Sequence, residues 1–306
     1  MENQAVTVDI TSTLFQNPGW KNILSEIRVA ADREQFRLGI QLHNTSYQYD
    51  IDCAVATGLP LTAHIPLLSN WQINFAAEDL GPCRQSLHDS IRLMRDHDIT
   101  QGVMHAFVMT DLPIPSFGRG RSYDEGMKPI YRPEISIPGS RVCGNFFALP
   151  EYLHRRDRVK RRLAWMRREF PDVEIVLEND FPTYGAANLF ADGAAALDHD
   201  LCLDSSHLWA SAHIFDRDYN REVEAFTATG RIKMVHLHAS ICPPDTPKGA
   251  WTDGHQPLNS PTAMDLQHFV TCCRRNGVRH FVLEIRGVTA TDITILGQWW
   301  RAAAAA

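Results

Sequence analysis

The stretch Leu201-Cys202-Leu203-Asp204-Ser205-Ser206-His207-Leu208-Trp209-Ala210-Ser211 decides how the chain is read. Its first four residues, ending on Asp204, read as a short buried strand. His207 follows three residues later, in the turn that opens the next element. An anionic oxygen and an imidazole this close at a strand tip can grip a divalent metal. The same spacing also describes an aspartate capping a helix beside an unrelated polar residue. The stretch therefore takes its meaning from its company.

Working outward, seven further β-rich runs appear: Val6–Ile10, Phe36–His43, Leu61–Ile65, Gly102–Phe107, Glu174–Asn179, Lys233–Ala239 and His280–Ile285. Helical patterns lie between them at Trp20–Glu34, Ala77–His97, Pro150–Phe170, Tyr184–Leu197, Asp216–Thr229 and Pro261–Asn276, with Thr291–Trp300 at the end. The connection 44–60 is too short for a long helix. Eight strand–helix alternations in 306 residues predict a (β/α)8 TIM barrel, a single domain over 1–301. An open doubly wound sheet fits the alternation too, but would more often carry a glycine-rich loop after its first strand, and none is present. The alanine run 302–306 carries no functional information.

The segment 110–150 breaks the rhythm and is far longer than an ordinary connection. It leaves the C-terminal end of the fourth strand, the catalytic face of such a barrel. It reads as an inserted lid, or else as a disordered loop.

Composition narrows the class. With 44% hydrophobic and 22% charged residues the chain has the make-up of a soluble globular protein. A net charge of −6 gives no general reason to expect nucleic-acid binding, although a local basic groove would suffice. No uncharged apolar run is long enough to span a bilayer. The start, Met1-Glu2-Asn3-Gln4-Ala5-Val6, lacks the basic and apolar regions of a secretory signal. The seven cysteines are odd in number and form no CxxC pair, which suits reduced thiols in a cytoplasm.

Polar residues collect at the strand ends: His64, His105, Glu178, Asp204 with His207, His236 and His238, and Glu284. Asp253 and His255 lie in the loop after the seventh strand. Any one of these has an ordinary explanation, a satisfied core histidine or a loop-capping carboxylate. Together they are hard to explain so, because unpaired charge at buried strand ends is expensive. Leaving His236 aside, four carboxylates and five histidines exceed what one metal needs. They predict two or three divalent ions, with zinc favoured by the mixed N/O ligands and manganese or iron possible.

This pattern resembles endonuclease IV (AP endonuclease family 2), within the xylose-isomerase-like TIM-barrel superfamily. The resemblance runs from about Leu61 to Ile285, apart from the insertion. It rests on the runs around His64, His105, Glu178, Asp204 with His207, His236 with His238, Asp253 with His255, and Glu284. It implies three zinc ions. One would take His64, His105 and a bridging Glu178; a second would share Glu178 and take Asp204, His238 and Glu284; a third would take His207, Asp253 and His255. His236 would then stand behind the ligands. The activity implied is hydrolysis of a phosphoester, abasic DNA being the family's substrate, with Glu178 as bridging ligand and Glu284 also orienting the attacking water.

Sugar isomerases and epimerases of the superfamily resemble the chain only at Glu178, Asp204, His238 and Glu284, where the two glutamates move protons on and off carbon. His64, His105, Asp253 and His255 favour the hydrolase, leaving a sugar or cyclitol isomerase, epimerase or dehydratase as the alternative. An iron-dependent oxygenase is a third.

Two departures weigh against DNA. The family's stack-penetrating tyrosine has Leu67 in its place, and the insertion would crowd a duplex. Arg119, Arg121, Lys128, Tyr131 and Arg132 are expected to line a basic lid over a smaller anionic substrate, or to be solvated loop residues. Arg286 is expected to bind a phosphate or carboxylate of the substrate, or to form an ordinary salt bridge. The basic run 155–168 belongs to an outer helix and reads as a solvated face rather than a nucleic-acid patch. The expected partner is a small anionic or sugar-like substrate, or abasic DNA.

Overall fold

The computed structural model describes residues 5–305; Met1–Gln4, on which the reading of the start rests, and Ala306 of the alanine run lie outside the described residues. Eight parallel strands close into a barrel in chain order. They are β1 (Thr7–Thr11), β2 (Arg37–Leu42), β3 (Leu61–Ile65), β4 (Gln101–Met104), β5 (Glu174–Glu178), β6 (Leu201–Asp204), β7 (Ile232–His236) and β8 (His280–Leu283). The helices are α1 (Trp20–Glu34), α2 (Gln48–Ala56), α3 (Gly81–Asp96), α4 (Tyr123–Met127), α5 (Pro150–Glu169), α6 (Ala191–Ala196), α7 (Ser205–Ile214), α8 (Tyr219–Ala228), α9 (Leu266–Arg275) and α10 (Ala290–Ala305). None of the described helices is long and apolar enough to cross a membrane. All seven cysteines are free thiols.

The strands alternate between the helix-facing core and the lumen, as two-residue periodicity requires. Val103, Val176, Cys202, Met234 and Val282 form a lumen cluster separate from the main core. Two residues further along the chain, at or just past the ends of these strands, stand His105, Glu178, Asp204, His236 and Glu284. The polar layer at the C-terminal mouth thus rests on an apolar floor. Below that floor His280 Nε2 meets Asp9 Oδ2 at 2.9 Å, and Thr62 donates to the same oxygen at 2.6 Å.

Three expectations need correction. The helix expected over Tyr184–Leu197 is confined to α6. Residues 184–190 form a buried loop instead, entered through positive φ at Tyr184 (52°) and Gly185 (79°). The run 155–168 is a solvated face only in part: Lys160, Arg161, Arg167 and Arg168 are exposed, but the other side of the helix is engaged. Arg155, Arg158 and Arg162 share one side of α5 and donate to the carbonyls of residues 75–78 ahead of α3. Arg155, 7% exposed, also pairs with Asp111 at 2.6 Å and with Glu151 at 2.8 Å. Arg132 belongs to the same framework, bound to Glu151 at 2.6 Å and to Glu134 at 2.7 Å, and is not a lining residue of the barrel mouth.

The 110–150 segment is built into the fold. Ile114, Met127 and Ile130 pack with Val108 and Tyr184 in a small core of their own. Ser122 caps α4, where its side chain accepts from Glu125 N and Glu125 bonds back to Ser122 N. Arg119 donates to the carbonyls of Asn44 and Ser69, both at 2.8 Å, and Tyr123 bonds to Thr183 at 2.8 Å. Gly118 has φ of 77°, and a Cβ there would collide with Thr45.

Candidate metal centre at the barrel mouth

β5 delivers Glu178 to the centre of the mouth, fully buried. Its Oε1 lies 2.9 Å from His236 Nδ1 and 3.5 Å from His207 Nδ1. His64 Nε2 and His105 Nε2 approach its Oε2 at 3.1 and 3.4 Å, without hydrogen-bonding geometry to that oxygen. Glu284, beyond the end of β8, completes a basket: its Oε2 is 3.0 Å from His236 Nδ1 and its Oε1 is 3.0 Å from His43 Nε2.

Asp204 serves in two ways at once. As the N-cap of α7, its Oδ1 accepts from His207 N at 2.7 Å. Its Oδ2 accepts from His238 Nε2 at 2.8 Å. His238 Nδ1 in turn accepts from the backbone N–H of His255 at 2.8 Å, so both ring nitrogens of His238 are engaged within the protein. His236 is differently placed. It pairs in register with Asp204 and presents Nδ1 between the two glutamates.

Asp253 and His255 fold back over the mouth. Asp253 Oδ2 is reached by His255 Nε2 at 2.7 Å and by His207 Nε2 at 3.2 Å. The ligating atoms of Glu178, Asp204, His236 and Glu284 lie within 4.8 Å of one another, as do those of His64, His105 and Glu178. Arg286 is exposed at the rim. The structure therefore brings all nine candidate ligands and His236 to one place. It adds two residues that sequence reading passed over: His43, and Asp180, whose Oδ1 meets His105 Nδ1 at 2.8 Å.

The wiring fits a cation. His207 Nδ1–H is held by the carbonyl of Asn179 at 2.9 Å and His255 Nδ1–H by that of Glu284 at 3.0 Å. With His105 Nδ1 on Asp180, three imidazoles are locked with Nε2 facing inward, as the outer contacts of metal-ligating histidines do. Burial leaves Glu178 Oε2 and His64 Nδ1 without a hydrogen-bond partner, a costly condition that a bound ion at the carboxylate relieves. Burial pushes Glu178 upward in pKa, but the imidazoles of His236 and His105 overcome it and hold the carboxyl well below its usual range. Burial opposes protonation of His255, yet Asp253 raises it to about 10. His64, by contrast, is held neutral by burial. Protons thus bind part of the cluster when metal does not, and metal uptake must displace them.

Above the centre is a cavity of about 930 Å³ lined by His43, Arg119, Arg121, Tyr123, Arg141 and Arg286, among others. Arg141 is neutralised by Asp124. Arg119 is bound by carbonyls alone, and Arg121 donates to the carbonyl of Ser116 at 2.8 Å. Among the described residues Arg119, Arg121 and Arg286 make no ion pair with a carboxylate, so the rim keeps uncompensated positive charge. Lys128, Tyr131 and Arg132 do not line the cavity.

No model of a known protein family matches the sequence, and no curated protein does. Solved structures do match. The fold is similar to that of a D-tagatose 3-epimerase-like protein, with 12% identity, 98% of this chain and 97% of that one covered, and a TM-score of 0.61. It is similar to mannonate dehydratase from Streptococcus suis serotype2, with 10% identity, 98% and 95% covered, and a TM-score of 0.60. It is also similar to endonuclease IV from Thermus thermophilus, with 14% identity, 98% and 99% covered, and a TM-score of 0.53. At such identities the likeness is one of fold alone, the closed eight-stranded parallel barrel with helices between its strands.

Proposed function

We propose that the protein is a metal-dependent hydrolase of small anionic phosphoesters, with a multinuclear centre at the barrel mouth. The observation that carries this reading is the excess of donors beyond one basket. Glu178, Asp204, His236 and Glu284 suffice for one ion. His64 and His105 converge on the far oxygen of Glu178. His207 and His255 converge on Asp253. His236 takes the ligand place beside Asp204. His238, with both nitrogens committed, positions Asp204 and the loop carrying His255.

Divalent ions bound there supply Lewis acidity toward a phosphoryl oxygen and lower the pKa of a water. The chain's own residues do the rest. Glu284, held by His43 at one oxygen and His236 at the other, orients the attacking water. Arg119, Arg121 and Arg286 receive the anionic groups of the substrate. Residues of the 110–150 segment, Phe117, Arg119, Arg121 and Tyr123 among them, line the cavity, which favours a small substrate over abasic DNA. Zinc suits the donors best.

A second reading, a sugar isomerase or epimerase, is favoured by one observation: the Glu178, Asp204, His236 and Glu284 quartet is complete without the other donors.

Elemental analysis of chelator-washed, zinc-reconstituted protein separates the two. More than one zinc per chain, falling in His64→Ala and in Asp253→Ala, with hydrolysis of small phosphoesters, is the expected outcome. A zinc count unchanged by either substitution, with exchange of sugar C–H protons into solvent, would overturn the hydrolase.

A further inference from the structure

A second group of metal-type donors lies outside the barrel mouth, on the outer ring of helices. His268 and Cys272 are one turn apart on α9, a spacing that places both side chains on one face. Glu224, on the adjacent α8, reaches the same spot. His268 Nε2 is 3.3 Å from Cys272 Sγ and 3.5 Å from Glu224 Oε1, and all three atoms lie within 4.8 Å of one another.

The spacing suits a tetrahedral ion. With zinc–sulfur near 2.3 Å and zinc–nitrogen or –oxygen near 2.0 Å, neighbouring ligands of a tetrahedron stand roughly 3.3–3.5 Å apart. A thiol–imidazole hydrogen bond accounts for the first contact and an ion pair for the second, yet both converge on one nitrogen, His268 Nε2, which an ion between the three donors would also satisfy. Cys272 is nearly buried at 6% exposure, whereas Glu224 faces water. The sulfur would therefore sit on the inner side and Glu224 on the outer, with the fourth position open to solvent.

We infer that Glu224, His268 and Cys272 form a separate peripheral binding site for a single zinc-like ion. Sulfur and imidazole select a borderline-soft cation over magnesium or calcium. Binding exchanges the sulfur–hydrogen bond of Cys272 for a sulfur–metal bond and releases that proton to solvent.

Cobalt(II) titration of the chelator-stripped, full-length protein tests the site, because a sulfur-to-cobalt charge-transfer band reports a thiolate ligand and none of the proposed barrel ligands is a cysteine. The band is expected in the wild type and in His64→Ala, and lost in Cys272→Ser. Glu224 is exposed, so Glu224→Gln tests the geometry without endangering the fold; it should raise the half-saturating cobalt concentration at least threefold. Absence of the band in wild type at saturating cobalt, its survival in Cys272→Ser, or an unshifted titration in Glu224→Gln would each overturn the proposal.

Discussion

His236 and His238 stand two residues apart and both follow the lumen-facing alternation, yet their hydrogen bonds give them different capacities. Nδ1 of His236 faces Glu178 and Glu284, while both nitrogens of His238 are spent on Asp204 and the His255 backbone. A glutamine at 238 can still donate to Asp204; a glutamine at 236 offers no imidazole to an ion. His236→Gln is therefore expected to lose at least one zinc per chain by elemental analysis, and His238→Gln to keep the wild-type count. The reverse pattern would reassign the ligand. Alternation alone could not separate the two, because it fixes a side chain's direction and not its height. Height comes from the pairing of Asp204 with His236 across β6 and β7. His43 carried the same strand-end signal as the other histidines and was legible in principle. Asp180 was not, since it stands two residues beyond Glu178 in a loop whose course no periodicity describes.

At the opposite end of the barrel His199 is 1% exposed, with Nε2 bonded to the carbonyl of Ile175 and Nδ1 unpartnered. Burial lowers it to about 4. The folded protein thus prefers the neutral ring, whereas the unfolded chain titrates near 6.5. This contribution is complete above about pH 6.5 and is lost as pH falls toward 4, by up to about 3 kcal/mol. Urea unfolding of wild type and His199→Gln across that window should show a shallower loss in the variant; parallel curves would refute it.

At the scale of elements, α5 is more than a crossover. Its arginines clamp the chain between β3 and α3, and Arg155 bridges that segment to Asp111 at the root of the lid. Arg155→Leu removes the buried guanidinium from Asp111, Glu151 and the carbonyls of Ala76 and Thr110, although Arg132 still serves Glu151 and Arg158 the Ala76 carbonyl. Buried pairs broken from one side typically cost ~3–5 kcal/mol, and partial exposure of Asp111 and Glu151 brings the expected loss to about 2 kcal/mol. A thermal midpoint within a degree of wild type would contradict this. The element types were readable because strand runs and helical periods alternate so regularly. Boundaries slipped where tertiary contacts took over. Several strand runs extended into the loops that carry His105, Asn179 and Glu284, where the chain leaves the sheet to deliver a side chain inward. The helix before β6 shrank to six residues because Ala187 N, Asn188 N and the Asn188 side chain are occupied with Asp180 and the Glu178 carbonyl.

For the whole molecule, closing the sheet brings together donors from residues 43 to 284, so the centre is a long-range product of the topology. That much followed from counting alternations and marking strand ends. The 110–150 segment did not, because its order comes from a small core of scattered apolar residues and from carbonyl-held arginines rather than from any period.

Those arginines have a kinetic consequence. The chain carries a net charge of −6, so a distant anion meets a net repulsion. At the mouth Arg119, Arg121 and Arg286 line the cavity without a carboxylate partner among the described residues. The mouth is then a local electrostatic funnel whose reach is the screening length, about 10 Å at 0.1 M salt. Raising ionic strength should slow capture of an anionic substrate and lower kcat/KM while leaving kcat nearly unchanged, and Arg286→Gln should flatten that dependence.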